Sequence, residues 1–425
     1  MSIARKVFFV AASFALPIIV LAYLVVRNIN EHITFARCEL AGTAYQRPLE
    51  ALLWDIQDQQ RFVHRCPGSA DCSGDIKART GTIRQELAAL QAVDRLYGVT
   101  LQFTGEGLAK RSRQLATCDN LQRGWVRLEA LLAQAGPGPA LTELDARYEG
   151  LVDTIQTMIT HVGDMSNLIL DPELDTFHLV TDTLVLLPRT QVRSARVTAM
   201  GRDALLHKGV SSADRMALAT QASFLESERD QIRAHLYTAL SEDKNEFHGV
   251  RDSFQKHVPV SYEEYESAAD GFIALTKRVA AGSGAPVGID DYLAAGVKAR
   301  EAGFRLWDSA VPELEGLLQA RIDYYSKRRT VALLLSGMAL LLACFLAYRI
   351  ATSLIRPLNQ LSRALTPGAD LLDGSVQKLA ELTQKGAPDL TSMRITCDEL
   401  DAHAESMRKA AHELATVVFG DGFRD

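Results

Sequence analysis

The sequence has no basic surplus. Its 46 Lys and Arg are outnumbered by 52 Asp and Glu, for a net charge of -6, and no tract concentrates the cations. A surface that tracks phosphates needs clustered Lys and Arg, so no nucleic-acid partner is expected. Aromatic residues are sparse, at 7%. Sustained period-2 alternation is missing, as are hairpin dipeptides between β-branched runs, so nothing signals strands. The G-x-S-x-G, P-loop and H-E-x-x-H patterns do not occur. The 10 histidines fall at no ligand spacing. No catalytic residue, enzyme activity, cofactor or metal is expected. Ala, Leu, Arg, Glu and Gln recur instead, which favours helices.

Two stretches lack charge altogether, Val7 to Val26 and Thr330 to Tyr348. Each is long enough to cross a bilayer core. The first has a cleaved signal peptide as its alternative. A signal core is shorter and ends at a small-x-small site, whereas this run continues through Leu24, Val25 and Val26 into Arg27. An uncleaved anchor is therefore expected, with transmembrane helices at 7–27 and 330–349. Arg5 and Lys6 before the first span place the N-terminus inside. Lys327, Arg328 and Arg329 oppose that rule, but long loops cross largely regardless of charge. The expected order is a short cytoplasmic N-terminus (1–6), a periplasmic helical domain (28–329) and a cytoplasmic relay (350–425).

Four cysteines, Cys38, Cys66, Cys72 and Cys118, fall in the first half of the middle region. Cys66 and Cys72 bracket a turn-rich Pro-Gly-Ser-Ala-Asp loop that suits a disulfide. Cys38 and Cys118 are candidates for a second bridge. Four cysteines allow three connectivities, and the sequence does not choose among them. A zinc site is the sharper alternative, but the spacing is not C-x2-C and no His follows closely.

The middle region reads as helices separated by breaks at Pro67 to Gly74, Gly136 to Pro139 and Gly282 to Gly288. Asp171-Pro172-Glu173 reads as a helix start, with Asp171 as cap and Pro172 at the first helical position. Ser261 with Glu264, and Thr396 with Glu399, fit capping boxes. The last helix of this region is expected to run from about Asp290 into the second apolar run. Beyond it, Leu354, Leu358, Leu361 and Leu365 form one seam of period 3.5. After a break, Leu400, Ala404, Met407, Ala411, Leu414 and Val418 form a second. Two short apolar seams have little to pack on within one chain, so a homodimer is expected.

The segment from Arg356-Pro357-Leu358 through Leu361, with Asp398-Glu399-Leu400 and Met407 following, resembles a HAMP linker. That relay module joins the membrane to the output domains of bacterial chemoreceptors and sensor kinases. The connector at Thr366-Pro367-Gly368, Asp373-Gly374 and Lys385 to Pro388 is longer and more broken than that family's pattern. The middle region resembles the sensor domains of methyl-accepting chemotaxis proteins. Phe35-Ala36, Glu39, Gly42, Tyr45 and Pro48-Leu49 carry one match, with Arg61 near the end of the same helix. Ser166-Asn167-Leu168-Ile169-Leu170-Asp171-Pro172-Glu173-Leu174-Asp175 carries the other. Ser166, Asn167, Asp171, Pro172 and Asp175 read as a bundle corner that satisfies free backbone groups.

The resemblance implies an all-α, two-span receptor of the bacterial inner membrane. Its partners would be membrane lipid, a second copy, a periplasmic ligand and a separate cytoplasmic signalling protein. Arg61, Arg193 and Arg196 are the candidate anion contacts, since Arg holds carboxylates through paired hydrogen bonds. Arg193 and Arg196, three apart, share a helix face. His412-Glu413-Leu414-Ala415-Thr416 resembles the phosphoacceptor box of histidine kinases, but Ala415 and Val417 replace that family's Arg and Pro. No ATP-binding domain follows it, so a receptor without its own output is expected. The alternative is a dimeric, membrane-anchored periplasmic scaffold.

Overall fold

The computed structural model describes residues 3–65, 73–133, 141–206, 211–244, 249–282, 286–384 and 390–419. Among these the protein is all-helical, with no strand. The α-helices are α1 (Ile3–Arg65), α2 (Ser73–Tyr97), α3 (Gly105–Ala109), α4 (Cys118–Leu132), α5 (Leu141–Met165) and α6 (Leu174–Val180). They continue with α7 (Leu187–Leu206), α8 (Ser212–Glu242), α9 (Asp252–Ala281), α10 (Ile289–Gln384) and α11 (Leu390–Phe419). Their starts are set locally. Thr104, Thr117 and Ser211 each accept a hydrogen bond from the backbone N–H three residues on, which satisfies a free helical donor. Gly282, at φ +62°, ends α9 in the left-handed conformation that glycine tolerates best.

The chain forms two compact units, residues 29–327 and residues 1–28 with 328–425. The second contains the apolar parts of α1 and α10, both long and apolar enough to cross a membrane. Their large apolar side chains, Phe14, Leu16 and Leu21 in α1 and Leu341, Leu342 and Phe345 in α10, are exposed. Such a surface suits lipid better than water.

In the unit 29–327, α1 and α10 lie side by side and antiparallel. His32 stacks on Tyr325, Glu39 pairs with Arg321, and Arg47 grips Glu315 through two 2.9 Å bonds. Further along, Trp54 packs against Phe304 and Gln57 meets Arg300. Residue numbers rise on one helix as they fall on the other, which fixes the direction. The face of α1 used here is polar for a core helix, with Glu39, Thr43, Gln46, Glu50 and Gln57 all buried. Burial, reinforced by Asp308 and opposed by Arg47, pushes the Glu50 carboxyl well above the usual range. The α8–α9 hairpin, α7 and the rest of α10 build the remaining core around Phe272, Tyr292 and Trp307. Between α6 and α7 the chain makes a π-turn, Thr181–Leu186. Gln46 on α1 donates to the Thr183 carbonyl at 2.8 Å, and His235 on α8 meets Asp182 at 2.8 Å.

Several local expectations give way to longer-range order. Asp171 and Pro172 do not open a helix. The chain makes a 3-10 turn at Leu168–Leu170, and α6 begins at Leu174. Ser261 lies inside α9, where its hydroxyl bonds back to the His257 carbonyl. Thr396 lies inside α11, so neither residue is a cap. Pro357, Leu358 and Leu361 lie within α10, which continues through Pro367, Gly368 and Gly374 to Gln384. The expected break after the first seam is therefore absent. Glu399, Leu400 and Met407 lie on α11, with Leu400 and Met407 half-buried. Cys38 and Cys118 are free thiols and do not bridge. Cys38 Sγ lies 3.5 Å from the Met165 carbonyl, while Cys118 Sγ lies 3.4 Å from the Tyr45 hydroxyl. Cys66 and Cys72 lie outside the described residues.

Candidate functional site

The stretch 35–49 of α1 and the stretch 166–175 meet in space. Gly42 on α1 faces Ser166, and a Cβ on Gly42 would collide with the Ser166 side chain and with Leu168. That close approach brings the corner 166–176 onto α1. Asn167 takes a left-handed conformation (φ 68°), which Asn tolerates better than most residues. Ser166, Asp171 and Asp175 are all buried in the corner. Asp175 accepts a bond from the Thr176 N–H at 2.7 Å.

Arg321 of α10 locks this corner to α1. It is 2% exposed. Its Nη1 donates to Glu39 Oε2 at 3.0 Å, and its Nη2 to Asp171 Oδ1 at 2.9 Å and Thr176 Oγ1 at 2.5 Å. Nε sits 2.8 Å from Glu173 Oε2. Three carboxylates thus surround one guanidinium out of contact with water. Full ionisation would leave two unbalanced negative charges in the interior, which is strongly unfavourable. Burial, then the Asp171 charge, pushes Glu39 up to about 9 against the pull of Arg321. Burial also raises Glu173 to about 7. Glu39 Oε1 and Asp171 Oδ2 are buried without a donor, an arrangement that a bound proton relieves. At neutral pH the cluster holds at least one proton.

A cavity of about 740 Å³ opens between α1, α5, α7 and the start of α10, within the usual range for small-molecule sites. Its walls include Val152, Val192, Ala195, Ala199, Leu293 and Val297. Arg61, Arg65, Arg196, Arg202, Lys298 and Arg300 line it, balanced by Asp145, Glu149, Asp153, Asp203, Asp290 and Glu301. Most of these charges are exposed or already matched. His64 meets Asp145 at 2.7 Å, and Arg202 meets Asp203 at 2.9 Å.

Arg300 differs from its neighbours. It is 4% exposed, and among the described residues no carboxylate lies within ion-pair distance of it. Nη2 donates to Gln57 Oε1 at 3.0 Å, and Nε is buried without an acceptor. The indole of Trp54 lies 5.2 Å from the guanidinium centre and offers partial compensation. Burial pulls Arg300 down to about 10, with Arg61 adding to the fall and Glu301 opposing it. It still carries a full charge at neutral pH.

The sequence-derived candidates separate. Arg61 lines the cavity but pairs with Asp58. Arg196 lines it and is exposed. Arg193 is not in the cavity. Its Nε meets Glu228 at 3.0 Å, its Nη1 meets Gln221 at 2.7 Å, and its guanidinium covers the Phe224 ring. The shared helix face of Arg193 and Arg196 therefore does not make a shared site. Arg300 and Arg321 were missed. They occupy one heptad position of α10, with buried Trp307 and Leu314 between them. A charge on an otherwise apolar stripe was the available signal. Among the described residues no group of three or more His, Cys, Asp or Glu could hold a metal ion. Comparisons with protein-family models, curated proteins and solved structures return no match.

Proposed function

We propose that the chain is a membrane-bound receptor of the bacterial inner membrane. It takes up a small molecule or partner in a periplasmic helical domain and relays a shape change inward through the HAMP-like segment. It would act as a homodimer and pass the signal to a separate cytoplasmic protein, with no catalytic output of its own.

One observation carries this reading. α1 and α10, the helices with membrane-length apolar runs, are also the pair held antiparallel within the unit 29–327 by buried polar contacts, from Glu39–Arg321 to Gln57–Arg300. A helix is stiff along its axis, so a shift where Arg300 meets Gln57 has a continuous path down α10. A ligand biases such a two-state element only by its differential affinity for the two states.

The relay is tested in membranes by single cysteines at the seam positions Leu400 and Met407 and at the off-seam Ala402. Strong dimer crosslinks at Leu400 and Met407, weak ones at Ala402, and a change in rate when ligand is added support it. A pattern insensitive to position removes the paired coil and with it the receptor. A stable seam indifferent to every ligand favours the scaffold.

A further inference from the structure

We infer that the cavity beside Arg300 is a binding site for a monocarboxylate with an apolar body, and that Arg300 is its charge anchor. This deepens the receptor reading by naming the ligand class, and it rests on that reading only for the consequence of binding.

A buried cation without a counter-ion is costly. Folded proteins carry such a group where something else supplies the missing charge. The other buried arginine of α10, Arg321, is met by three carboxylates. Arg300 is met by one neutral amide and a ring face. The difference is that Arg300 is among the residues lining this cavity and Arg321 is not. A carboxylate entering that cavity would complete the ion pair and accept guanidinium N–H groups.

The remaining lining narrows the class. Ala195, Ala199, Leu293 and Val297 give apolar walls, so the body of the ligand is apolar. The space far exceeds what acetate or formate fills. Apart from Arg300 the lining carries five Arg and Lys against six Asp and Glu, so there is no basic field to draw in a phosphate or another polyanion. One uncompensated positive charge calls for one negative charge.

Titration calorimetry on the full-length chain in nanodiscs tests this with benzoate, indole-3-acetate and hexanoate. Benzamide, benzylamine and inorganic phosphate serve as controls. The expected result is saturable binding of at least one acid with an apolar body, and at least tenfold weaker binding of benzamide. Arg300→Gln should lose the acid by tenfold or more, while Arg193→Gln, outside the cavity, should keep it. Because Arg300→Gln risks misfolding, Ala195→Phe provides a second variant. It fills the cavity without touching the charge, and it too should abolish binding. Equal binding of benzamide and benzoate, retention of benzoate by Arg300→Gln, or no binding by any acid overturns the assignment. Acid binding that leaves the crosslinking at Leu400 and Met407 unchanged keeps the site and removes the relay. A crosslinking change driven by a ligand that ignores Arg300 does the reverse.

Discussion

Replacing Arg321 by Met gives the sharpest test of how α1, α10 and the 166–176 corner are held together. Met keeps most of the side-chain length and removes the charge. Glu39, Asp171 and Glu173 then lose their shared cation, at contacts of 3.0, 2.9 and 2.8 Å. Stranding a buried charged partner costs roughly 3–5 kcal/mol. At roughly 2–4 °C per kcal/mol for domains of about 150–250 residues, the melting temperature should fall by on the order of 10 °C. The companion variant is Glu39→Gln. Burial raises the Glu39 carboxyl to about 9, so at pH 7 the residue is already protonated and Gln imitates it. No cost is expected there, since one neutral hydrogen-bonding group replaces another and, unlike Glu39, Gln has no proton to take up on folding.

The pH dependence has a definite sign. The folded protein holds the Glu39 proton more tightly than the unfolded chain does. Stability is therefore fully present below the ordinary glutamate value and is lost as pH rises through about 9. Glu173, raised to about 7, adds a loss that is complete nearer neutrality. Glu39→Gln removes the first contribution and should melt closer to the parent at pH 6 than at pH 9, where it should be the more stable of the two. Arg321→Met should recover part of its loss in acid, where the carboxylates neutralise. The assay is thermal unfolding of the full-length protein in detergent, followed by far-UV circular dichroism from pH 5 to 9. If Glu39→Gln is as damaging as Arg321→Met at pH 7, Glu39 is ionised and the buried-proton argument fails.

Two further outcomes follow from packing and burial. Gly201→Ala would drive a methyl into the buried Tyr292 ring, whose hydroxyl donates to the Val197 carbonyl at 2.9 Å. It should cost roughly 1–3 kcal/mol by overpacking, and a variant that melts with the parent contradicts the close approach of α7 and α10. Burial pushes the Cys118 thiol up to about 12, whereas Cys397 is exposed. At pH 8 iodoacetamide should label Cys397 well before Cys118 in the folded protein, and equal rates read by peptide mass spectrometry would count against the burial of α4.

The helical class was legible because it rests on local chemistry. Helix-forming composition, the absence of alternation and the breaks at glycine and proline all act over a few residues. The continuity of α10 from Ile289 into its apolar run was legible for the same reason. Local signals also misled. Thr396 and Ser261 are followed three residues on by Glu, yet each sits within a longer helix whose packing outweighs a cap. Pro367 and Gly368 signal a break locally, yet they remain helical within α10.

What the sequence determined by itself was the kind of element and the presence of two membrane-length runs, since both depend on neighbours along the chain. Which charges matter was decided only in three dimensions. Arg61 and Arg193 are answered by Asp58 and Glu228, and Arg321 by residues some 145 to 280 positions away. Arg300 stands without a carboxylate because of what folding places around it. The physical reason is that an ion's energy depends on its surroundings rather than its neighbours in sequence, and burial multiplies that dependence.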